Sequence, residues 1–191
     1  MIGRVGRRAS RSSRQALYAL PPVRRVLAAR TRRAFREARQ ILFVCKGNVC
    51  RSPFAAGYAR TLMNHGVQLR SAGYLPRSAR NCPVLGVEAA RTLGVDLGTH
   101  RSEALTEAMV READAIFVFD DEARQRIGAA YPFARTKTFP LGWLTTDGPI
   151  EIRDPYGGGT DEFVRTYTMI RRAVDAALAG RTLAAPTPSV A

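Results

Sequence analysis

ILFVCKGNVCRSP, residues 41–53, is the stretch that decides how this chain folds. Its first four residues are apolar, a run typical of a buried central strand in a parallel sheet. The run ends at Cys45, and Ser52 and Pro53 form a cap and first-turn pair that predicts the start of a helix. The residues between them form a strand-to-helix loop, whose backbone N–H groups point into one concavity and suit an anion.

Side chains in this loop add chemistry to the predicted anion site. Arg51 carries a planar fork of N–H donors that matches phosphate geometry. Cys45 lies at the entrance of the loop, where the positive potential of the amides, the helix and Arg51 favours its nucleophilic thiolate form. Gly47 suits a close approach of backbone to ligand, and Asn48 suits a left-handed conformation or a bracing hydrogen bond. A nucleophile beneath a phosphate cradle predicts a site that cleaves phosphoesters.

The overall composition fits one globular domain without a membrane span. The chain has 191 residues, of which 46% are hydrophobic, and this is enough for a single domain with a core. No stretch approaches the ~18–20 apolar residues of a transmembrane helix, and the N-terminus lacks the apolar core of a secretory signal. Three cysteines, two of them close together in one loop, argue against a disulfide framework. We therefore expect a reducing compartment and a cytoplasmic protein.

The net charge of +14 is concentrated at the N-terminus. Residues 1–40 contain twelve arginines and one acid, Glu37, which gives this segment +11 and leaves +3 for residues 41–191. We expect a basic extension, disordered over its first half and helical where apolar residues recur between Val23 and Arg39. The sequence leaves open whether this extension is a solvated appendage or contacts an anionic membrane surface or an acidic partner. Few aromatic residues stand between the arginines of this segment, which argues against specific nucleic-acid binding.

Strand and helix patterns alternate along the rest of the chain. Predicted strands cover residues 41–44, 67–72, 115–119 and 136–139. Predicted helices cover 83–93, 103–112 and 122–130 as well as segments that start at Pro53 and at Asp161. Gly66 and Gly180 mark helix ends, and Thr160 caps the last helix. The alternation predicts a four-stranded parallel sheet with helices on both faces. Ligands of such sheets bind beyond the carboxyl ends of the strands, where Cys45 is expected.

The loop and three later motifs resemble the low-molecular-weight protein tyrosine phosphatases. The string Phe-Val-Cys-x-Gly-Asn-x-Cys-Arg-Ser-Pro, from residue 43, is similar to the active-site loop of that family. Ser71-Ala72-Gly73 resembles its SAG element, Phe119-Asp120 its acidic strand end, and Asp154-Pro155-Tyr156-Gly157 its DP[YF] loop. The resemblance covers residues 41–180 and implies a flavodoxin-like α/β domain, which leaves residues 181–191 as a C-terminal tail.

The resemblance implies a protein-tyrosine-phosphatase with a two-step mechanism. Cys45 forms a cysteinyl-phosphate while Asp154 protonates the leaving oxygen, and Asp154 then activates the water that hydrolyses the intermediate. Arg51 and the loop amides stabilise the charge, so no metal or cofactor is expected. Substrate-binding roles are expected for Lys46, Gly47, Asn48, Val49, Cys50, Ser52 and Tyr156, with the tyrosine as an aromatic wall of the cleft.

Other residues carry further expectations. In members of that family with a cysteine at the position of Cys50, this cysteine can pair with the nucleophile and protect it from over-oxidation. The resemblance therefore implies redox protection by Cys50, and the alternative is that Cys50 only fills space in the loop. Lys46 stands where the family more often has an apolar or small residue, and it favours more anionic or differently shaped substrates. Asp120 orients the Arg51 guanidinium or braces the phosphate loop, and the alternative is that it caps a helix. His65 and His100 lack partners at ligand spacing, so metal binding is not expected.

The expected substrate is a phosphotyrosine protein, and a bacterial tyrosine kinase is one candidate because bacterial relatives often act on such kinases. One alternative is a thiol-dependent arsenate reductase on the same fold, since arsenate mimics phosphate. That activity needs two relay cysteines beyond the third strand, and residues 120–128 contain none. The other alternative is a regulatory module that binds phosphate groups without turnover, against which the set of Cys45, Arg51 and Asp154 argues.

Overall fold

The computed structural model describes Ala16, Tyr18 and residues 20–63, 66–145 and 148–179. Its elements are α1 Pro21–Glu37, β1 Gln40–Cys45, α2 Arg51–Leu62, β2 Gln68–Gly73, α3 Val84–Thr92, α4 Glu107–Glu112, β3 Ala115–Val118, α5 Asp121–Ala130, β4 Thr138–Pro140 and α6 Thr160–Leu178. Short 3-10 helices at Pro132–Lys137 and Leu141–Leu144 flank β4. Within the described ranges, no helix is long and apolar enough to cross a membrane.

The four strands form one parallel sheet in the order β2-β1-β3-β4. The predicted four-stranded flavodoxin-like sheet is therefore confirmed. β1 is a central strand that pairs with both β2 and β3, and its continuous burial from Ile41 onward explains its apolar run. Its last residue, Cys45, pairs with Gly73, so the cysteine lies at the carboxyl edge of the sheet where the strand order reverses.

Helices cover both faces of the sheet. Successive side chains of a strand point to opposite faces, and accordingly Ile41 and Phe43 belong to one buried cluster while Leu42 and Val44 belong to another. The first cluster includes side chains of α1, α2, α3 and α6, and the second includes side chains of α4 and α5. The two clusters fix the sheet from both sides, so the loops at its carboxyl edge rest on a rigid base.

Helix α1 packs on the sheet through an aromatic anchor. The side chain of Phe35 is fully buried, with its ring centroid 5.0 Å from that of Phe117 and 6.3 Å from that of Phe43. Val26, on the same helix, is 68% exposed. The apolar positions predicted to form a helix therefore divide into one face buried against the domain and one that faces solvent. The expectations for residues 1–15 and for the tail 181–191 lie outside the described residues.

Arginines of α1 bind the carboxyl end of α6. The Arg32 Nε donates to the carbonyl of Ala176 at 3.0 Å, and the Arg36 Nε donates to the carbonyl of Ala177 at 2.7 Å. Arg36 also donates to the carbonyl of Ala179. The last carbonyls of a helix lack partners within the helix and carry partial negative charge, so this contact satisfies them and joins the first described helix to the last.

The start of α2 corrects the predicted cap. The helix begins at Arg51 with Cys50 in the N-cap position, so Ser52 and Pro53 lie inside the first turn and not at its boundary. The hydroxyl of Ser52 is used elsewhere, 3.1 Å from the sulfur of Cys45. Because the Ser52 hydroxyl contacts the Cys45 sulfur, it does not cap the helix, and the helix begins one residue before Ser52.

Two other helix starts also differ from prediction. α6 has Gly159 as its N-cap, and the backbone N–H of that glycine donates to Glu162 at 3.2 Å, so Thr160 is the first helical residue. α4 begins only at Glu107 because the residues before it are extended along the edge of β2, and the Thr106 hydroxyl caps the helix. β4 is shorter than predicted because the preceding residues form a 3-10 helix. The expectations for His65 and Gly180 lie outside the described residues.

Candidate active site

Cys45 ends β1 with its sulfur held by two neighbours from the following turn. The Sγ lies 3.1 Å from the Ser52 Oγ and accepts a hydrogen bond from the backbone N–H of Asn48 at 3.3 Å. The residue is almost fully buried. Because both neighbours can donate to the sulfur, the turn favours negative charge at this atom.

Asn48 braces the loop between the cysteine and the helix. Its backbone has φ +52, in the left-handed region, and the residue is fully buried. Its Nδ2 donates to the hydroxyls of Ser52 and Ser71, both at 2.9 Å, and its Oδ1 accepts from the backbone N–H of Glu103 at 2.8 Å. The sequence offered a left-handed conformation or a bracing bond as alternatives, and the structure has both.

Two residues outside the loop hold it from behind. A Cβ on Gly73 would lie 2.9 Å from both the nitrogen of Asn48 and the carbonyl carbon of Gly47. The end of β2 can therefore come this close to the loop backbone only with glycine at position 73. The Nε2 of His100 donates to the carbonyl of Asn48 at 2.8 Å. Burial is the largest cause that lowers the pKa of His100 and so favours the neutral imidazole.

The Arg51 side chain joins the loop to two carboxylates from other parts of the chain. Its Nη1 donates to Asp120 at 2.7 Å and to the carbonyl of Ile152 at 3.1 Å, and its Nη2 donates to Asp154 at 2.8 Å. The guanidinium is 2% exposed, whereas the Asp154 side chain is 34% exposed. The buried Arg51 guanidinium thus connects Asp120 and the Ile152 carbonyl to Asp154, an acid at the surface of the cleft.

Electrostatics keep this guanidinium charged. Burial by itself lowers the pKa of Arg51, but Cys45, Asp154 and Asp120 together raise it above its ordinary value. Asp120 contributes twice, because its other oxygen accepts from the backbone N–H of Ala123 at 2.8 Å and caps α5. Asp120 therefore both contacts the Arg51 guanidinium and caps α5. The Nε of Arg51 has no hydrogen-bond partner among the described residues, which leaves one buried donor free.

These groups border a cleft of about 330 Å³ at the carboxyl edge of the sheet. Seven of the predicted site residues line it: Cys45, Lys46, Gly47, Val49, Cys50, Asp154 and Tyr156. The other three, Asn48, Arg51 and Ser52, are buried behind this lining. The structure therefore brings all ten residues together, but it divides them into a surface that faces the cleft and a support beneath it.

Three lining residues were not anticipated from the sequence: Leu75, Arg77 and Arg80. The Arg80 guanidinium lies over the ring of Tyr156, 5.7 Å from its centroid, and its Nη2 lies 3.3 Å from the tyrosine hydroxyl. All three lie in the segment that follows β2. Because β2 is parallel to β1, its carboxyl end lies at the same edge of the sheet as Cys45. The position of these residues after a predicted strand was therefore the sequence feature that indicated their proximity to the site.

The remaining thiols differ from Cys45 in their surroundings. All three cysteines are free. Burial, followed by the charges of Asp154 and Cys45, raises the pKa of the Cys50 thiol well above its ordinary range. Burial likewise raises the pKa of Cys82 to about 12. Both are neutral thiols at physiological pH, and the expected redox pairing of Cys50 stays a prediction. Among the described residues, no group of three or more histidines, cysteines and acids could hold a metal ion.

The sheet order, the braced loop and the cleft define an α/β protein with a cysteine at the carboxyl edge of a parallel sheet, beside a buried arginine. The model of the family described as low molecular weight phosphotyrosine protein phosphatase matches residues 40–185. The chain belongs to this family. The predicted family and the predicted enzyme class are therefore confirmed.

Individual relatives agree with the family match. A probable low molecular weight protein-tyrosine-phosphatase, EpsP from Ralstonia nicotianae, is 36% identical over 136 residues, which cover 71% of this chain and 91% of the relative. The tyrosine phosphatase Wzb from Escherichia coli K30, solved with sulphate, has a TM-score of 0.67 at 30% identity and covers 72% and 94% of the two chains. The YwlE arginine phosphatase from Geobacillus stearothermophilus has a TM-score of 0.67 at 28% identity, with 72% and 88% covered.

Proposed function

We propose that this chain hydrolyses phosphotyrosine in proteins through a cysteinyl-phosphate on Cys45. The observation that supports this most directly is the bond from Arg51 to Asp154 at the cleft that Cys45 lines. A nucleophile and an anion-binding loop from one segment and a proton donor from another thereby share one cleft of about 330 Å³.

In the first step the Cys45 thiolate attacks phosphorus and the bond from phosphorus to the phenolic oxygen breaks. Asp154 gives its proton to that oxygen, which leaves as the tyrosine hydroxyl. The loop amides and Arg51 balance the charge on the equatorial phosphate oxygens. The unpaired Nε of Arg51 supplies one of these donors, and its Nη2 exchanges Asp154 for phosphate, which frees the carboxyl group to carry a proton.

In the second step water attacks the cysteinyl-phosphate. Asp154, now a carboxylate, takes a proton from this water, the bond between sulfur and phosphorus breaks, and inorganic phosphate forms. The sulfur leaves as a thiolate, and the Ser52 hydroxyl at 3.1 Å and the Asn48 N–H at 3.3 Å stabilise it. The roles of Cys45, Arg51 and Asp154 in these steps are those expected from the sequence.

Tyrosine is the proposed target although similar solved structures include arginine phosphatases. Tyr156 stands at the mouth of the cleft, 59% exposed, where its ring can stack on a phenyl group. The curated relative of highest identity reported above is named a tyrosine phosphatase. A bacterial tyrosine kinase is one candidate substrate. The three free cysteines support a reducing compartment such as the cytoplasm, and a membrane or acidic-partner contact of the N-terminal segment remains part of this proposal.

The experiment compares wild type, Cys45→Ser and Asp154→Asn on a phosphotyrosine peptide, a phosphoarginine peptide and 4-nitrophenyl phosphate. We expect wild type to prefer phosphotyrosine and Cys45→Ser to lose turnover. Asp154→Asn should lose about 10²–10⁴-fold in kcat on phosphotyrosine, since general acid catalysis contributes on this scale, and less on 4-nitrophenyl phosphate, whose leaving group needs no proton. Preference for phosphoarginine would replace the proposed substrate, and equal signals from wild type and Cys45→Ser would end the enzymatic interpretation.

The same proteins test the arsenate alternative. Cys50 and Cys82 are neutral, buried thiols, a poor setting for a thiol relay. Wild type should therefore show no thioredoxin-dependent reduction of arsenate under conditions in which it hydrolyses aryl phosphate. Arsenate reduction in the absence of aryl phosphate hydrolysis would favour the alternative.

A further inference from the structure

Three cations surround the entrance of the cleft; we call Lys46, Arg77 and Arg80 the cationic rim. All three line the cleft, with the first two exposed and Arg80 half-buried. Asp154 is the one acid among the lining residues, and it is bonded to Arg51. Among the described carboxylates, none forms an ion pair with a rim cation. The rim therefore presents uncompensated positive charge next to the phosphate loop.

Arg80 is held in place across the top of the cleft. A Cβ on Gly47 would lie 3.3 Å from its Nη1, so the guanidinium rests against the phosphate loop. On its other side it lies over the Tyr156 ring and 3.3 Å from the tyrosine hydroxyl. Because both loops fix this side chain, its charge has a defined position relative to the phosphate that the loop binds.

An apolar groove continues from the rim. A second depression of about 420 Å³ shares Arg80 and Tyr156 with the cleft and is also bordered by Pro83, Val84, Leu85 and Phe163. Val84 is 72% exposed and Leu85 is 39% exposed. The pair of Arg80 and Tyr156 thus stands between the cleft and an apolar surface that a polypeptide with one side chain in the cleft can reach.

We propose that the cationic rim selects phosphotyrosine flanked by acidic residues, in a segment that extends into the apolar groove. This inference rests on the proposed function. The loop amides and Arg51 already balance the phosphate, so the rim remains available for further anionic groups. Complementary charge of this kind raises association rates and sets specificity. The rim is a local feature, since residues 41–191 carry only +3 in total.

The experiment uses three peptides of equal length with one phosphotyrosine flanked by glutamate, glutamine or lysine. The full chain is assayed with each peptide, and 4-nitrophenyl phosphate, which has no flanks, is the reference substrate. We expect kcat/KM to fall in the order glutamate, glutamine, lysine, with about ten-fold or more between the extremes at low salt. The ratio should shrink as added salt screens the rim. Equal kcat/KM for the three peptides would overturn the proposal.

Charge reversal locates the effect. Arg77→Glu and Lys46→Glu should each lower the ratio of glutamate to lysine peptides by several-fold relative to wild type. Arg39→Glu is the matched control: it makes the same charge change at an exposed residue just before β1, at the opposite edge of the sheet. The control should keep the wild-type ratio. If Arg39→Glu lowers the ratio as much as the rim variants, net charge and not the rim sets the preference.

The reference substrate separates the two proposals. If wild type hydrolyses 4-nitrophenyl phosphate and has equal rates on the three peptides, the phosphatase proposal is supported and the proposed selectivity of the cationic rim is overturned. If wild type hydrolyses neither 4-nitrophenyl phosphate nor any phosphotyrosine peptide, the proposed function itself is overturned, and the proposal for the cationic rim with it.

Discussion

Asn48 combines a left-handed backbone with three side-chain hydrogen bonds in a fully buried position. Asn48→Ala removes the bonds and places alanine at an unfavourable φ, so we expect it to lower the free energy of unfolding by about 2–4 kcal/mol and to lower kcat/KM. Asn48→Gly also loses the bonds but accepts this φ. It should therefore be more stable than the alanine variant in urea titrations. Equal stability of the two would show that φ contributes nothing here.

Gly73 tests how closely β2 must approach the loop. Gly73→Ala places a methyl group 2.9 Å from backbone atoms of Gly47 and Asn48, which cannot move without moving the loop. We expect a loss of about 1–3 kcal/mol in stability and a larger proportional loss in kcat than in KM. Gly66→Ala is the control, since nothing lies within 4 Å of its added Cβ. A Gly73→Ala protein with wild-type kcat would contradict the tight contact.

His100 makes stability depend on pH. Burial is the first cause that holds its pKa below the ordinary 6.5, so the unfolded chain binds a proton more readily than the folded one. The free energy of unfolding should therefore fall as the pH drops below 6.5. His100→Gln keeps an N–H donor for the Asn48 carbonyl but does not titrate. Urea titrations at several pH values should show a shallower fall for this variant; parallel curves would exclude His100 as the cause.

At the scale of elements, α1 depends on one aromatic side chain. Phe35 is fully buried between Phe43 and Phe117, so Phe35→Ala should lower the free energy of unfolding by about 3–5 kcal/mol. Val26→Ala, on the same helix and 68% exposed, should change it by less than about 0.5 kcal/mol. Urea denaturation followed by circular dichroism measures both. If the two variants were equally stable, α1 would not be part of the cooperative core.

Elements were predictable where one local pattern dominates. The apolar run of β1 predicted its place at the centre of the sheet because burial on both faces demands it. The start of α2 was predicted two residues late because Ser52 resembles a cap, whereas its hydroxyl serves the sulfur of Cys45. The docking of α1 was not predictable, since arginines that bind distant carbonyls, such as Arg32 to Ala176, have the same sequence pattern as solvated arginines.

At the scale of the whole molecule, the three thiols should react in a fixed order. All three cysteines are buried, and Cys45 and Cys50 both line the cleft. Burial raises the pKa of the Cys50 and Cys82 thiols. The Cys45 sulfur, in contrast, lies within hydrogen-bond distance of the Asn48 N–H and the Ser52 hydroxyl. Iodoacetamide at neutral pH should therefore label about one thiol per native chain and all three after unfolding, as counted by mass spectrometry. Cys45→Ser should lose this native labelling, and inorganic phosphate should protect wild type. Fast labelling of native Cys45→Ser would contradict this order.

The candidate site was predictable to the extent that it is continuous in sequence. The loop from Cys45 to Arg51 forms one motif, and Asp154 belongs to a second, so both could be named before the fold was known. The position of Arg80 after β2 indicates only the edge of the sheet, and its place over Tyr156 could not be predicted because it depends on how the segment after β2 returns to the cleft. The support from His100 was also missed, since a backbone carbonyl acceptor has no sequence signature.

The bond from Arg36 to the Ala179 carbonyl has a practical consequence. It brings the last described turn of α6 next to the residues that lead into β1, about 20 Å of extended strand away from Cys45. A label or tether attached at residue 179 therefore starts at the edge of the sheet opposite the cleft. Immobilising the enzyme through that residue should leave the cleft open to large protein substrates.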